Sequence, residues 1–201
     1  MKDRLNLRKG KEMKTDFDEV IKKEGIEYGG IIRGNNETIV FIKAGAGGSY
    51  RGYDEKYLKM AITLNDIYGA TVICASNPSD ELSLKYDEAI LRELINETKA
   101  PVLKFIGVSR GAYLGSVHLS QRFEFDKLLL INMPLMINFH KTIKHLKGKN
   151  VKFVFGTKDP SARFVPFLIL KGYDDNIVMI EGADHNFTDM IGEFIELVKL
   201  I

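Results

Sequence analysis

"FIGVSRGAYLG", residues 105–115, sets a serine between two glycines where an apolar run passes into a helical pattern of small residues. This junction decides the fold. A tight strand-to-helix turn strains its backbone and brings neighbouring elements close, so it needs residues without bulky side chains beside the serine. Two readings of Ser109 follow. It is a nucleophile raised on that turn, or it is the N-cap of a helix starting at about Arg110, a role that needs no glycine bracket. Gly107 and Gly111 supply the bracket and favour the nucleophile. Ala112, Gly115 and Ser116 then keep the helix small where it faces a sheet, and its N-terminus directs free N–H groups at the serine oxygen.

Working outward from residue 109, short β-branched runs alternate with longer helical patterns. Strands are expected at "TIVFIKA" (38–44), "TVICA" (71–75), "VLKFIG" (102–107), "KLLLI" (127–131), "VKFVFG" (151–156) and "IVMIEG" (177–182). Several are nearly continuous apolar runs, as parallel strands covered on both faces should be. "DEKYLKMAITLNDIYG" aligns Tyr57, Leu58, Ala61, Leu64 and Ile67 on one helical face, and "LSLKYDEAILRELINET" and "TDMIGEFIELVKLI" repeat the pattern. Strand–helix alternation of this kind argues for an open, mainly parallel sheet with helices on both faces. Before it, "GIEYGGIIRG" fits a strand and "DFDEVIKKEG" either a turn of helix or a strand edge. A single domain is expected over 1–201, with N-terminal strands and loops in 1–36 and the parallel core in 37–201.

Composition bounds the partners. The 201 residues are 45% hydrophobic and 28% charged, with a net charge of +2, ordinary for a globular domain and too small to imply nucleic acid. Lys2, Arg4, Arg8, Lys9, Lys11 and Lys14 outnumber Asp3 and Glu12 at the N-terminus, but without interleaved aromatics they read as a solvated edge or loop. Neither a signal peptide nor a membrane span is expected, and no membrane partner. The single Cys74 sits in "ATVICA" and reads as a small core residue of a cytoplasmic protein.

A serine hydroxyl needs a base to take its proton. His118 lies nine residues along the same helix, about 13 Å away at 1.5 Å per residue, and is out of reach. His140 and His145 belong to the short amphipathic stretch "NFHKTIKHLKG" and read as surface residues. His185, in "EGADHNF", falls beyond the last expected strand, on the edge where the Ser109 turn opens. The imidazole in turn needs an acid. Asp159, in "FGTKDPSARF", follows the penultimate strand on that edge, although it also suits a cap before "SARFVPFLILKG". Asp184 ranks second because side chains adjacent in sequence diverge, and Asp80 third. Finally, "KAGAGGSY" (43–50) ends the first parallel strand in a glycine-rich loop whose N–H groups a substrate can approach. It lacks the lysine and hydroxyl of a phosphate-binding loop.

The order of these signals, glycine-rich loop, G-x-S-x-G, Asp and His, each after a different strand, resembles the α/β-hydrolase superfamily over residues 37–201. "DHNF" also matches the His-x-Phe common at that family's histidine. The resemblance implies a three-layer α/β/α sandwich around a mostly parallel sheet of about eight strands. It carries over Ser109 as nucleophile, His185 as base and Asp159 as acid, with the backbone N–H groups of Ala46 and Arg110 as the oxyanion hole. No cofactor and no metal are implied. Ala44-Gly45 stands where relatives commonly carry His-Gly, so the loop's support differs. Only 50 residues separate Ser109 from Asp159, too few for the large helical cap of many relatives. Gly47, Tyr50, Tyr53, Met133, Pro134, Phe164 and Phe187 are expected to line an open, apolar-aromatic pocket. The Arg110 side chain either meets an anionic group or pairs with an acidic neighbour.

The expected function is a serine hydrolase acting on a small or accessible carboxylic ester or thioester. Other chemistry on the same scaffold, C–C bond hydrolysis or perhydrolysis, is the alternative among enzymes. A ligand-binding protein without turnover is the alternative outside them. Oligomeric state is not legible.

Overall fold

The computed structural model describes residues 14–78, 82–98 and 101–201. Asp80 and the basic residues up to Lys11 lie outside them. Eight strands form one sheet: β1 (Glu19–Lys23), β2 (Ile26–Ile32), β3 (Thr38–Lys43), β4 (Thr71–Ala75), β5 (Val102–Val108), β6 (Lys127–Ile131), β7 (Val151–Gly156) and β8 (Ile177–Ile180). Their spatial order is β1-β2-β4-β3-β5-β6-β7-β8. β2 is antiparallel to β1 and to β4, and every pairing from β4 through β8 is parallel.

The apolar runs are continuous because each central strand serves two cores. Phe41, Phe105, Leu128, Leu130 and Phe153 face one side, where α2 (Leu82–Thr98), α3 (Arg110–Val117), α4 (Phe139–Leu146) and α5 (Val165–Ile169) pack. Ile42, Ile106, Leu129, Ile131 and Val154 face the other, under α1 (Lys56–Tyr68) and α6 (Ile191–Glu196). The result is the expected three-layer sandwich without a cap domain. Between β6 and β7 there is a single helix, α4, lying beside α3. Cys74 is fully buried, and burial pushes its thiol above the ordinary range. Among the described residues no helix is long and apolar enough to cross a membrane.

Of the two readings of "DFDEVIKKEG" the strand edge holds: residues 19–23 form the edge strand β1, because Glu24 and Gly25, both at positive φ, close a tight hairpin onto β2. Departures from the sequence reading are local. "SARFVPFLILKG" breaks into a 3-10 turn (Pro160–Phe164) and α5, each with a proline in its first turn. The C-terminal helix likewise ends as a 3-10 turn over Leu197–Leu200. Ile67, expected on the buried face of α1, is exposed, and Met60 takes a core place instead.

β3 is the point where the growing sheet changes direction, since β4 lies on one side of it and β5 on the other. Loops leaving the C-terminal ends of two such strands part and leave a crevice between them. The loops after β3 and β5 carry Gly45–Gly48 and Ser109.

Candidate active site

Ser109 follows β5 at φ 52° and ψ −120°, a left-handed conformation that costs a residue with a side chain about 1–3 kcal/mol. The surroundings hold it there. Its N–H donates to the Ile131 carbonyl at 2.8 Å. A Cβ on Gly107 would stand 2.5 Å from Ala112 Cα, and one on Gly111 would stand 2.4 Å from the Lys43 carbonyl oxygen. The glycine bracket therefore reflects close approach of backbone on both sides. Although Ser109 occupies the N-cap position of α3, its hydroxyl makes no capping bond. It lies 2.9 Å from His185 Nε2 instead.

His185 sits in the loop after β8, half-buried, with Nδ1 bonded to Asp159 Oδ2. A carboxylate only accepts, so Nδ1 carries the proton and Nε2 is left to accept from the serine. The bond to Asp159 raises the imidazole pKa above its ordinary 6.5; desolvation and the positive charge of Lys56 oppose the rise. Asp159 itself is buried, and its other oxygen accepts from the Ser161 N–H at 2.6 Å. One Asp159 oxygen thus caps the 3-10 turn while the other meets the imidazole. Asp184 turns away. It accepts from the N–H groups of Asn186 and Thr188, bonds that hold its carboxyl below the usual range.

The glycine-rich loop lies against the serine: a Cβ on Gly45 would be 3.4 Å from Ser109 Cβ. The N–H of Ala46 makes no hydrogen bond among the described residues. That of Arg110, first in α3, precedes any carbonyl of its own helix. Beside these groups opens a cleft of about 450 Å³, bounded by Gly45, Ala46, Tyr53, Lys56, Ser109 and His185 among others. The Arg110 side chain makes neither a hydrogen bond nor an ion pair among the described residues, so the expected acidic partner is not seen.

Of the expected pocket residues, only Tyr53 lines this cleft. Gly47 borders a separate depression behind the loop. Tyr50 is buried: its N–H is fixed by Ser76 Oγ, and its hydroxyl donates to Glu27 while its ring packs on Phe17. Phe187, at φ 57°, turns into the core against Phe194, and Met133 is buried beside Ser116. Phe164 faces another groove, between α4 and α5, and half-buried Pro134 lies outside the cleft. An aromatic residue in a loop marks apolar contact but not the side on which it occurs. The cleft is consequently more polar than expected.

Three side chains that sequence reasoning passed over hold this geometry. Asn77 is fully buried and clamps the glycine-rich loop: its carbonyl accepts from Gly47 N–H, its N–H donates to the Gly48 carbonyl, and its amide donates to the Ala44 carbonyl at 3.0 Å. Asn132, equally buried, donates to the Asp184 and His185 carbonyls and accepts from Gly156 N–H, tying the histidine loop to the end of β7. Lys56, on α1, donates to the Asn186 carbonyl at 2.8 Å. The available signal was an asparagine within two residues of the end of an apolar strand, in "ICASN" and "LLLIN". Beneath the loop, Lys43 and Asp87 form a fully buried ion pair shared with Tyr28 and Ser83. Lys43 is the last residue of β3, so this network also fixes where the loop begins.

No protein-family model and no curated protein matches the chain in sequence. Solved structures match it in fold. Est1E from Butyrivibrio proteoclasticus superposes with a TM-score of 0.67 at 16% identity, over 90% of this chain and 96% of that one. A serine hydrolase without a lid from Xanthomonas campestris gives 0.62 at 14% identity over 86% of each chain. A thioesterase domain from the curacin biosynthetic pathway gives 0.62 at 13% identity, over 90% of this chain and 98% of that one. The fold is therefore the α/β-hydrolase fold.

Proposed function

We propose that the chain is a serine hydrolase that cleaves a small or accessible carboxylic ester or thioester through an acyl-enzyme on Ser109. The observation that carries the reading is the continuous bonding from Ser109 Oγ through His185 to Asp159. His185 Nε2 removes the hydroxyl proton as Oγ attacks the carbonyl carbon. Negative charge gathers on the carbonyl oxygen, which the N–H groups of Ala46 and Arg110 and the N-terminus of α3 stabilise. When the tetrahedral adduct collapses, the imidazolium returns its proton to the departing alcohol or thiol. Water then repeats the sequence on the acyl-serine, and the carboxylic acid leaves. Asp159, bonded to Nδ1, stabilises the imidazolium.

The open cleft supports the substrate class. Among the described residues no cap covers it, and its floor is backbone and mixed side chains rather than a deep apolar channel. A thioesterase domain and serine hydrolases share the fold, which fits both leaving groups. A reducing, cytoplasmic setting belongs to the proposal, supported by the buried thiol of Cys74. The test is turnover of p-nitrophenyl acetate and of S-phenyl thioacetate. Wild type should hydrolyse at least one of them and Ser109→Ala neither, with an unchanged melting temperature. Undiminished turnover in the alanine variant would refute the proposal.

A further inference from the structure

The overall charge of +2 conceals an asymmetry. Residues 136–173 carry eight lysines and arginines against one carboxylate, that of buried Asp159, whereas the rest of the chain carries 21 against 26. This basic segment also builds the apolar groove between α4 and α5, about 490 Å³, walled by Leu135, Met136, Phe139, Phe164, Phe167 and Leu170. Its rim is unusually bare. Leu170 is 80% exposed, Phe167 51% and Met136 50%, and Ile137 and Ile169 beside them also face solvent. Single exposed apolar residues need no explanation, but a contiguous group does.

The charges stand around this group. Lys171 lines the groove itself, Arg163 lies over the Phe164 ring, and Lys141 and Lys144 project from α4 into solvent. α4 is accordingly two-sided, burying Thr142 and Leu146 while exposing its lysines. Protruding large apolar side chains ringed by lysine and arginine, with no carboxylate in the groove wall, suit one kind of partner. We propose that the α4–α5 face docks on the surface of an anionic lipid bilayer, with Phe167 and Leu170 entering the headgroup region and the surrounding cations meeting lipid phosphates. The expectation of no membrane partner followed from the lack of a spanning segment, which does not register a local surface patch.

The experiment is co-sedimentation of the intact chain with vesicles of phosphatidylcholine, alone or mixed with phosphatidylglycerol. Wild type should sediment with the mixed vesicles, not with the neutral ones, and should be released at about 1 M salt, where the Debye length is near 3 Å. Each lysine near an anionic surface is worth about fivefold in partitioning, so Lys141→Gln with Lys144→Gln should weaken binding roughly 30-fold. Phe167→Ser with Leu170→Ser should abolish it, and Leu170→Ser alone should weaken it. These positions are exposed, so melting temperatures should hold. Equal binding to neutral vesicles, no binding at all, or variants that bind like wild type would overturn the proposal. So would dimerisation that the serine substitutions abolish, since the face would then belong to a second copy. None of these readouts depends on catalysis, so the result is separable from the hydrolase reading.

Discussion

Replacing Asn77 with alanine should slow chemistry far more than it weakens substrate binding. The substitution leaves both backbone bonds to Gly47 and Gly48 and removes only the amide bond to the Ala44 carbonyl. Both residues are fully buried, so water does not replace the lost donor, and the unpaired carbonyl costs about 1–3 kcal/mol. Against a typical stability of about 5–15 kcal/mol the chain still folds. Ala46 sits between the freed Ala44 and the still-anchored Gly47, so its N–H loses part of its aim. Losing a whole oxyanion donor costs about 2.7–4 kcal/mol. A loosened one should cost about half as much, a fall in kcat of about 10- to 30-fold with KM nearly constant. Steady-state turnover of p-nitrophenyl acetate, beside urea unfolding of both proteins, reads the two effects separately. A stability loss of the expected size with kcat within about twofold of wild type would refute the reasoning and make Asn77 a fold residue only.

The two acids beside His185 should separate cleanly: Asp159→Asn lowers kcat by about 10³- to 10⁴-fold, whereas Asp184→Asn, which disturbs a turn, changes it only a few-fold, and the reverse ranking would move the acid role. The base must be neutral and its pKa is raised, so the acid limb of kcat/KM should have its midpoint above pH 6.5. Lys56→Met, which removes an opposing charge, should move it higher still; a midpoint below 6.5 in wild type contradicts the assignment. The same shift means that protonated His185 favours the folded state. That contribution is fully present below pH 6.5 and fades as pH rises through the folded value, opposite to activity, which thermal melts across the range can check. Lys43→Met strands Asp87 in the core and should cost about 3–5 kcal/mol in urea unfolding, while adding Asp87→Leu should restore most of it; equal losses in the single and double variants would show that the pair does not act as a unit.

Much of this was legible because the chemistry restricts residue type. A strained strand-to-helix turn needs neighbours without side chains, and Gly107, Ser109 and Gly111 mark it in five letters. The parallel core was legible because strands buried on both faces have no polar side to show. Side-chain direction was not. Tyr50 and Phe187 turn into the core, since the bond from Tyr50 N–H to Ser76 and the positive φ of Phe187 decide the rotation. The Lys43–Asp87 pair was hidden because its partners lie 44 residues apart and neither position is unusual alone. Asn132 clamps through its side-chain amide, but Asn77 works mainly through backbone groups, which every residue type possesses, so its identity carries little signal.

The central claim is that Ser109 is an activated nucleophile, and intact-mass measurement after brief exposure to a fluorophosphonate tests it most directly. The native protein should gain the mass of one phosphonyl group, mapped by peptide fragmentation to Ser109. The adduct should be absent from heat-denatured protein and from Ser109→Ala. An unmodified native protein, or an adduct on any other residue, would contradict the account.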